Sequence, residues 1–161
     1  MIMNQEQFPT YKPLFPVQTI PTTSHCRLLK GKYHPVVIVI DREERTQSAI
    51  ELRDELINEI RQNNVNDEII VGIADRMIEN WILADEDCFS DMAKRKLKTC
   101  SITDGLHGKS QLSHCIGTYH ETTTGVKLLL KCRPSVMRKR NLSFKEFIDK
   151  IPEDFCWWVS R

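Results

Sequence analysis

"HPVVIVIDREER", residues 34–45, runs five β-branched apolar residues straight into a cluster of acids and arginines. A short unbroken run of this kind predicts a strand covered on both faces, the pattern of a parallel sheet in an α/β protein. The end of the run poses the question. Asp41, Glu43 and Glu44 either form a surface turn that leads into the next helix, or belong to a site that holds a divalent metal.

Working outward, Ala49, Leu52, Leu56, Ile57 and Ile60 recur at helical spacing and predict an amphipathic helix over residues 46–62. "EIIVGIA" (68–74) reads as a second strand, and strand, helix, strand in that order implies a right-handed βαβ unit with parallel pairing. In "DRMIENWILADEDCF" (75–89) the apolar spacing predicts a helix starting near Asp75 or Arg76, with Asp85 capping a further short helix through Met92 and Ala93. A basic run (94–98) and the loop "TDGLHGKSQ" (103–111) follow. Leu112, Cys115, Ile116 and Tyr119 predict another helix, and residues 126–130 an apolar segment. Ser143 and Glu146 stand as a capping box that starts a helix at Phe144, and Trp157 and Trp158 read as a packed lid.

The length of 161 residues suits one compact domain, expected over residues 33–161. Residues 1–32 carry Pro9, Pro13, Pro16 and Pro21 and are expected to form an extended, non-helical arm. No stretch approaches the roughly 20 apolar residues that cross a bilayer, and the start lacks the pattern of a signal peptide, so a cytoplasmic protein without membrane contact is expected. The six cysteines are scattered, with no Cys-x-x-Cys pair, which argues against zinc and against a disulfide framework. P-loop, Gly-x-Ser-x-Gly and Gly-x-Gly-x-x-Gly motifs are missing, which weighs against nucleotide hydrolysis by Walker chemistry and against esterase chemistry.

The formal net charge of +1 hides a division along the chain. Residues 41–91 hold 15 acids against 5 bases, and residues 94–145 hold 12 bases against 2 acids. Such polarity is either internal complementarity or the means to hold a metal with one part and a polyanion with the other.

Ligands of open α/β sheets bind outside the carboxyl ends of the strands, where Asp41 and Glu43 are expected. With one residue between them, two carboxylates can turn to one side, and Mg²⁺ (or Mn²⁺) needs only one or two carboxylates beside water and phosphate oxygens. Glu79, in the first turns of the helix after the second strand, is the third candidate. The plainer reading is that Glu43 and Glu44 precede a helix and gain from its dipole. Lys109 is placed to meet a phosphate as a point charge, and His107 beside it to transfer protons, unless both are ordinary loop residues in water.

The combination of "VVIVIDREER", "GIADRMIENWILAD", "HGKSQL" and "LSFKEFID" resembles a bacterial family of unknown function with a TOPRIM-like fold, over roughly residues 34–150. The resemblance implies a Rossmann-like, three-layer α/β fold with a mainly parallel sheet and helices on both faces. It implies a Mg²⁺-dependent nuclease, in phage defence or a mobile element, with an ABC-type ATPase partner or a homo-oligomer. Asp41 and Glu43 match the family's Asp-x-Asp element, with Glu in second place, and Glu79 matches the acid before the tryptophan. An earlier strand ending in Glu-Gly has no counterpart, since Glu6 is the only acid of residues 1–32. On this reading Asp41, Glu43 and Glu79 hold metal and perform catalysis, while Lys109, His107, Arg138, Lys139 and Arg140 meet a DNA or RNA backbone. The alternative is a non-catalytic binding or regulatory subunit of a defence complex.

Overall fold

A computed structural model of the chain describes residue 26 and residues 35–65, 68–97 and 103–152. Strand β1 (Val36–Asp41) pairs in parallel with β2 (Ile69–Ala74), Val36 opposite Ile69 and Asp41 opposite Ala74. Helix α1 (Ala49–Gln62) connects them, so the expected parallel βαβ unit is present. The remaining described elements are helical: α2 (Glu79–Leu83), a 3₁₀ turn (Glu86–Cys88), α3 (Asp91–Lys94), α4 (Gly108–Ile116), a wide π turn (Glu121–Gly125), α5 (Val126–Leu129), α6 (Pro134–Arg140) and α7 (Leu142–Ile148). The architecture is thus mixed α/β, rich in helix, around a small parallel sheet.

Helix α1 starts later than its apolar spacing suggests, because Ser48 and Glu51 form a reciprocal capping box: the Glu51 amide donates to Ser48 Oγ and the Ser48 amide to Glu51 Oε2. Glu51 therefore occupies the first turn, and Glu43 and Glu44 lie ahead of the cap. The plain dipole reading of those two acids does not hold.

Alternation along β2 assigns its side chains to two cores. Val71 and Ile73 join Val36 and the α1 residues Leu52, Leu56 and Ile60, each worth on the order of 2 kcal/mol when buried. Cys26, within the segment expected as an arm, is buried in the same cluster and helical. Ile70 and Ala74 face the other way, into a cluster with Trp81, Phe144 and Phe147. Trp81 stacks on Phe147 (centroids 5.4 Å apart, 10° between planes) and meets Phe144 edge-on. β2 is therefore covered on both faces, by α1 and by α7. β1 is not: Val37 and Val39 are 48% and 37% exposed, because α7 lies over β2.

Three further expectations change. Asp85 caps only the 3₁₀ turn, accepting from the Asp87 amide, and Ser90 caps the separate α3. Gly117 (φ 80°) ends α4 before Tyr119. Helix α7 is capped by Asn141, whose Oδ1 accepts from the Phe144 amide at 2.7 Å, while Ser143 lies inside the helix. The two tryptophans of the expected lid lie outside the described residues.

At Gly72 an added Cβ would stand 2.5 Å from the Phe147 ring. Gly72→Ala is expected to destabilise the protein by roughly 1–3 kcal/mol through overpacking. Urea unfolding should show the loss, and Phe147→Leu in the same chain should recover part of it.

Candidate functional site

The ladder continues past both strands. The Arg42 amide donates to Ala74 O (2.9 Å) and the Glu43 amide to Arg76 O (2.7 Å), so the two strand ends turn outward together. Both turns need left-handed backbone at a non-glycine residue, Glu43 at φ 56° and Arg76 at φ 73°. The arginines hold the turns: Arg42 Nε donates to Asp75 Oδ1 (2.6 Å), Arg45 to the carbonyls of Asp41 and Arg42, and Arg76 to Glu44 Oε1 and Gly105 O. In "DREER" the bases are thus committed to the loop, and the Asp41 carboxylate is left to other partners.

Asp41 sits on the sheet face shared with Val37 and Val39, which is the side of α2. Its Oδ1 accepts from the Ile78 amide at 2.8 Å. Glu79 follows immediately and is 1% exposed. Its Oε1 accepts from the Tyr119 hydroxyl (2.9 Å), and its Oε2 is buried with no hydrogen-bond partner among the described residues. Lys109 comes from the first turn of α4, where Gly108 allows close packing: a Cβ there would lie 2.6 Å from both Glu79 Cβ and Asn80 Oδ1. Lys109 Nζ pairs with Glu121 Oε1 at 2.5 Å.

Electrostatics tie these groups together. Burial pushes the Asp41 carboxyl up to about 6; the Ile78 amide opposes this, the Glu79 charge adds to it, Lys109 opposes and Glu43 adds. Burial works against the Lys109 ammonium, but the Glu121 hydrogen bond and the charges of Glu79 and Asp41 hold its pKa above the ordinary lysine value. Burial and Glu79 push the Tyr119 phenol well above the usual tyrosine range.

Of the expected site residues, Asp41, Glu79 and Lys109 come together, with Glu43 acting on Asp41 through its charge. Among the described residues no three His, Cys, Asp or Glu side chains form a metal-ligand group. His107 stands at the N-cap of α4 with Nδ1 3.2 Å from Ser110 Oγ. Lys139 is exposed on α6, while Arg138 pairs with Asp149 (2.7 Å) and Arg140 with Glu86 (2.6 Å). Arg133 grips the buried Asp85 with Nε and Nη2, and also pairs with Asp87. Part of the acidic and basic division is therefore internal complementarity.

Sequence reasoning missed Tyr119 and Glu121. The apolar spacing places Tyr119 in the stripe of a helix; Gly117 is the signal against it, a residue suited to ending a helix in the left-handed region. Also missed was the buried polar web behind the site. Ser143 Oγ donates to Asp104 Oδ1 and accepts from Trp81 Nε1 and the Asp75 amide; Asn80 Nδ2 donates to the carbonyls of Asp75 and Leu106; Asn141 Nδ2 donates to Thr103 Oγ1.

A family model described as "Domain of unknown function (DUF4276)" matches residues 16–152. The chain belongs to the DUF4276 family. No curated protein and no solved structure matches it. The DUF4276 match contains every described residue, and so the whole Asp41, Glu79, Tyr119 and Lys109 constellation. Among the described residues no helix is long and apolar enough to cross a membrane.

Because the folded state raises the Asp41 pKa above its ordinary value of 3.8, the folded chain binds more protons than the unfolded chain between the two values. Stability is therefore expected to fall as the pH rises from about 4 to about 6, and Asp41→Asn should flatten that part of the profile. Denaturant midpoints measured across this window for both proteins check it.

Proposed function

We propose that this chain is a Mg²⁺-dependent nuclease of TOPRIM type, with a Rossmann-like three-layer fold, acting on DNA or RNA phosphodiesters. The observation that carries the reading is the pair of carboxylates Asp41, at the end of β1, and Glu79, at the start of the helix that follows β2, the second buried with one oxygen unpartnered and within the field of Lys109.

The residues fit a hard cation. Asp41 and Glu79 each use one oxygen on a protein donor, Ile78 N–H and the Tyr119 hydroxyl, and each keeps a second oxygen. Two carboxylates suffice for Mg²⁺, which keeps several waters and takes oxygens from a phosphate. A carboxylate buried as deeply as Glu79 is costly without compensating positive charge, and Lys109, hydrogen-bonded to Glu121, acts on it only through space. When bound, the metal would neutralise charge on the phosphate and lower the pKa of a water. The chain's own part is to hold the two acids in place, with Glu43 adding negative charge, and to offer Lys109 as a point charge to the phosphate. His107 and the α6 bases Arg138, Lys139 and Arg140 would meet the backbone farther along. An ABC-type ATPase or a second copy of the chain belongs to the same proposal as partner.

Calorimetric titration with Mg²⁺ or Mn²⁺, followed by nuclease assays on single- and double-stranded DNA and RNA, tests it. The wild type is expected to bind and cleave, and Asp41→Ala to lose both; full activity in that variant refutes the role. Metal binding without cleavage would instead favour a non-catalytic, regulatory subunit. Lys109→Met is expected to weaken nucleic-acid binding and reduce its salt slope by about 1, read from affinities at several salt concentrations.

A further inference from the structure

We propose that the Tyr119 hydroxyl, seated in a niche that exists because residue 125 is glycine, is the positioning group that aims Glu79 at a divalent cation. The inference rests on the metal reading above and names the part of the fold that makes Glu79 a ligand.

Glu79 has one hydrogen-bond donor on Oε1, the Tyr119 hydroxyl at 2.9 Å, and none among the described residues on Oε2. That one-sided arrangement matters. A phenol is a neutral donor: it fixes the direction of the carboxylate without cancelling its charge, whereas a lysine or arginine in its place would satisfy the acid and compete with a cation. The cation that is nearby, Lys109, makes its direct pair with Glu121 and acts on Glu79 through its charge, without a hydrogen bond to it.

Tyr119 is in turn located by backbone. Gly117 ends α4 two residues earlier, and the amides of Thr123, Thr124 and Gly125 all donate to the His120 carbonyl at 3.3, 2.8 and 3.0 Å, opening the chain into the π turn. Gly125 lies in ordinary right-handed helical backbone (φ −58°, ψ −49°), so its conformation does not call for glycine. What calls for glycine is space: a Cβ at residue 125 would stand 2.6 Å from the Tyr119 hydroxyl oxygen.

This geometry separates a positioning role from a purely structural one. Tyr119→Phe removes the donor but also orphans a buried acid, so a loss of stability in that variant says nothing about ligand binding. Gly125→Ala keeps both Tyr119 and Glu79, pushes the hydroxyl off Oε1, and places alanine where helical backbone favours it over glycine. The experiment is a calorimetric titration of the full chain and both variants with MnCl₂, well below their melting temperatures, with thermal melts of the metal-free proteins alongside. Both variants are expected to bind Mn²⁺ at least about tenfold more weakly, the scale of losing an outer-shell partner of a metal ligand. Each should remain folded at the titration temperature. Wild-type affinity in either variant overturns the inference and leaves the metal reading intact. A wild type that binds no Mn²⁺ overturns both.

Discussion

Two hydrogen bonds beyond the regular ladder, from the Arg42 amide to Ala74 O and from the Glu43 amide to Arg76 O, hold the strand end that carries Asp41 and Glu43. They lock the ends of the two strands together for one further step. That step carries Asp41 to the Ile78 amide, and with it to the start of α2, where Glu79 goes into the core. Had the strands parted at Asp41 and Ala74, the carboxylate would face solvent and meet no neighbour on α2. The arginines of the same loop are consumed in holding the turns, so a stretch that carries both signs of charge delivers mainly the negative one to the site.

Behind the acids lies a polar web that joins stretches distant in sequence. Ser143, Asn141, Asp104, Thr103, Asn80 and the Trp81 indole bring residues 75–81, 103–108 and 141–144 to one place. A buried web of this kind is costly where a member is unsatisfied, as Asn80 Oδ1 is among the described residues, while its satisfied bonds rigidify what they touch. It fixes the loop that leads into Lys109 against the strand end that leads into Glu79. The aromatic trio of Trp81, Phe144 and Phe147 closes over the same region, so apolar packing and hydrogen bonding act on the same elements.

Much of the scaffold was legible in the chain. The β-branched run at residues 36–40 and the short apolar run at 69–73, with the 3.6-residue stripe between them, specify two parallel strands and a connecting helix. The placing of Asp41 at the end of the first strand and of Glu79 in the first turn of the helix after the second was legible from the same periodicity. What escaped was whatever depends on tertiary closure. Ser143 looks like a cap because of its spacing to Glu146, yet Asn141 is the cap and Ser143 is needed by Trp81 and Asp104. Tyr119 reads as apolar until Gly117 is given its weight, and no local pattern links residue 119 to residue 79. The acids of residues 41–91 and the bases of residues 94–145 read as either internal complementarity or two binding surfaces; Arg133 with Asp85 and Arg140 with Glu86 make part of that division an internal match.

Left-handed backbone at Glu43 and Arg76 has a consequence for how this sequence can change. Glycine adopts that conformation most readily, and at both positions the chain instead carries a long charged side chain. Selection for thermal hardiness and selection for local charge therefore pull these two positions in opposite directions. A library of variants sorted for heat resistance alone would be drawn toward glycine at 43 and 76, and would lose there the charge that acts on Asp41 and the guanidinium that holds Glu44.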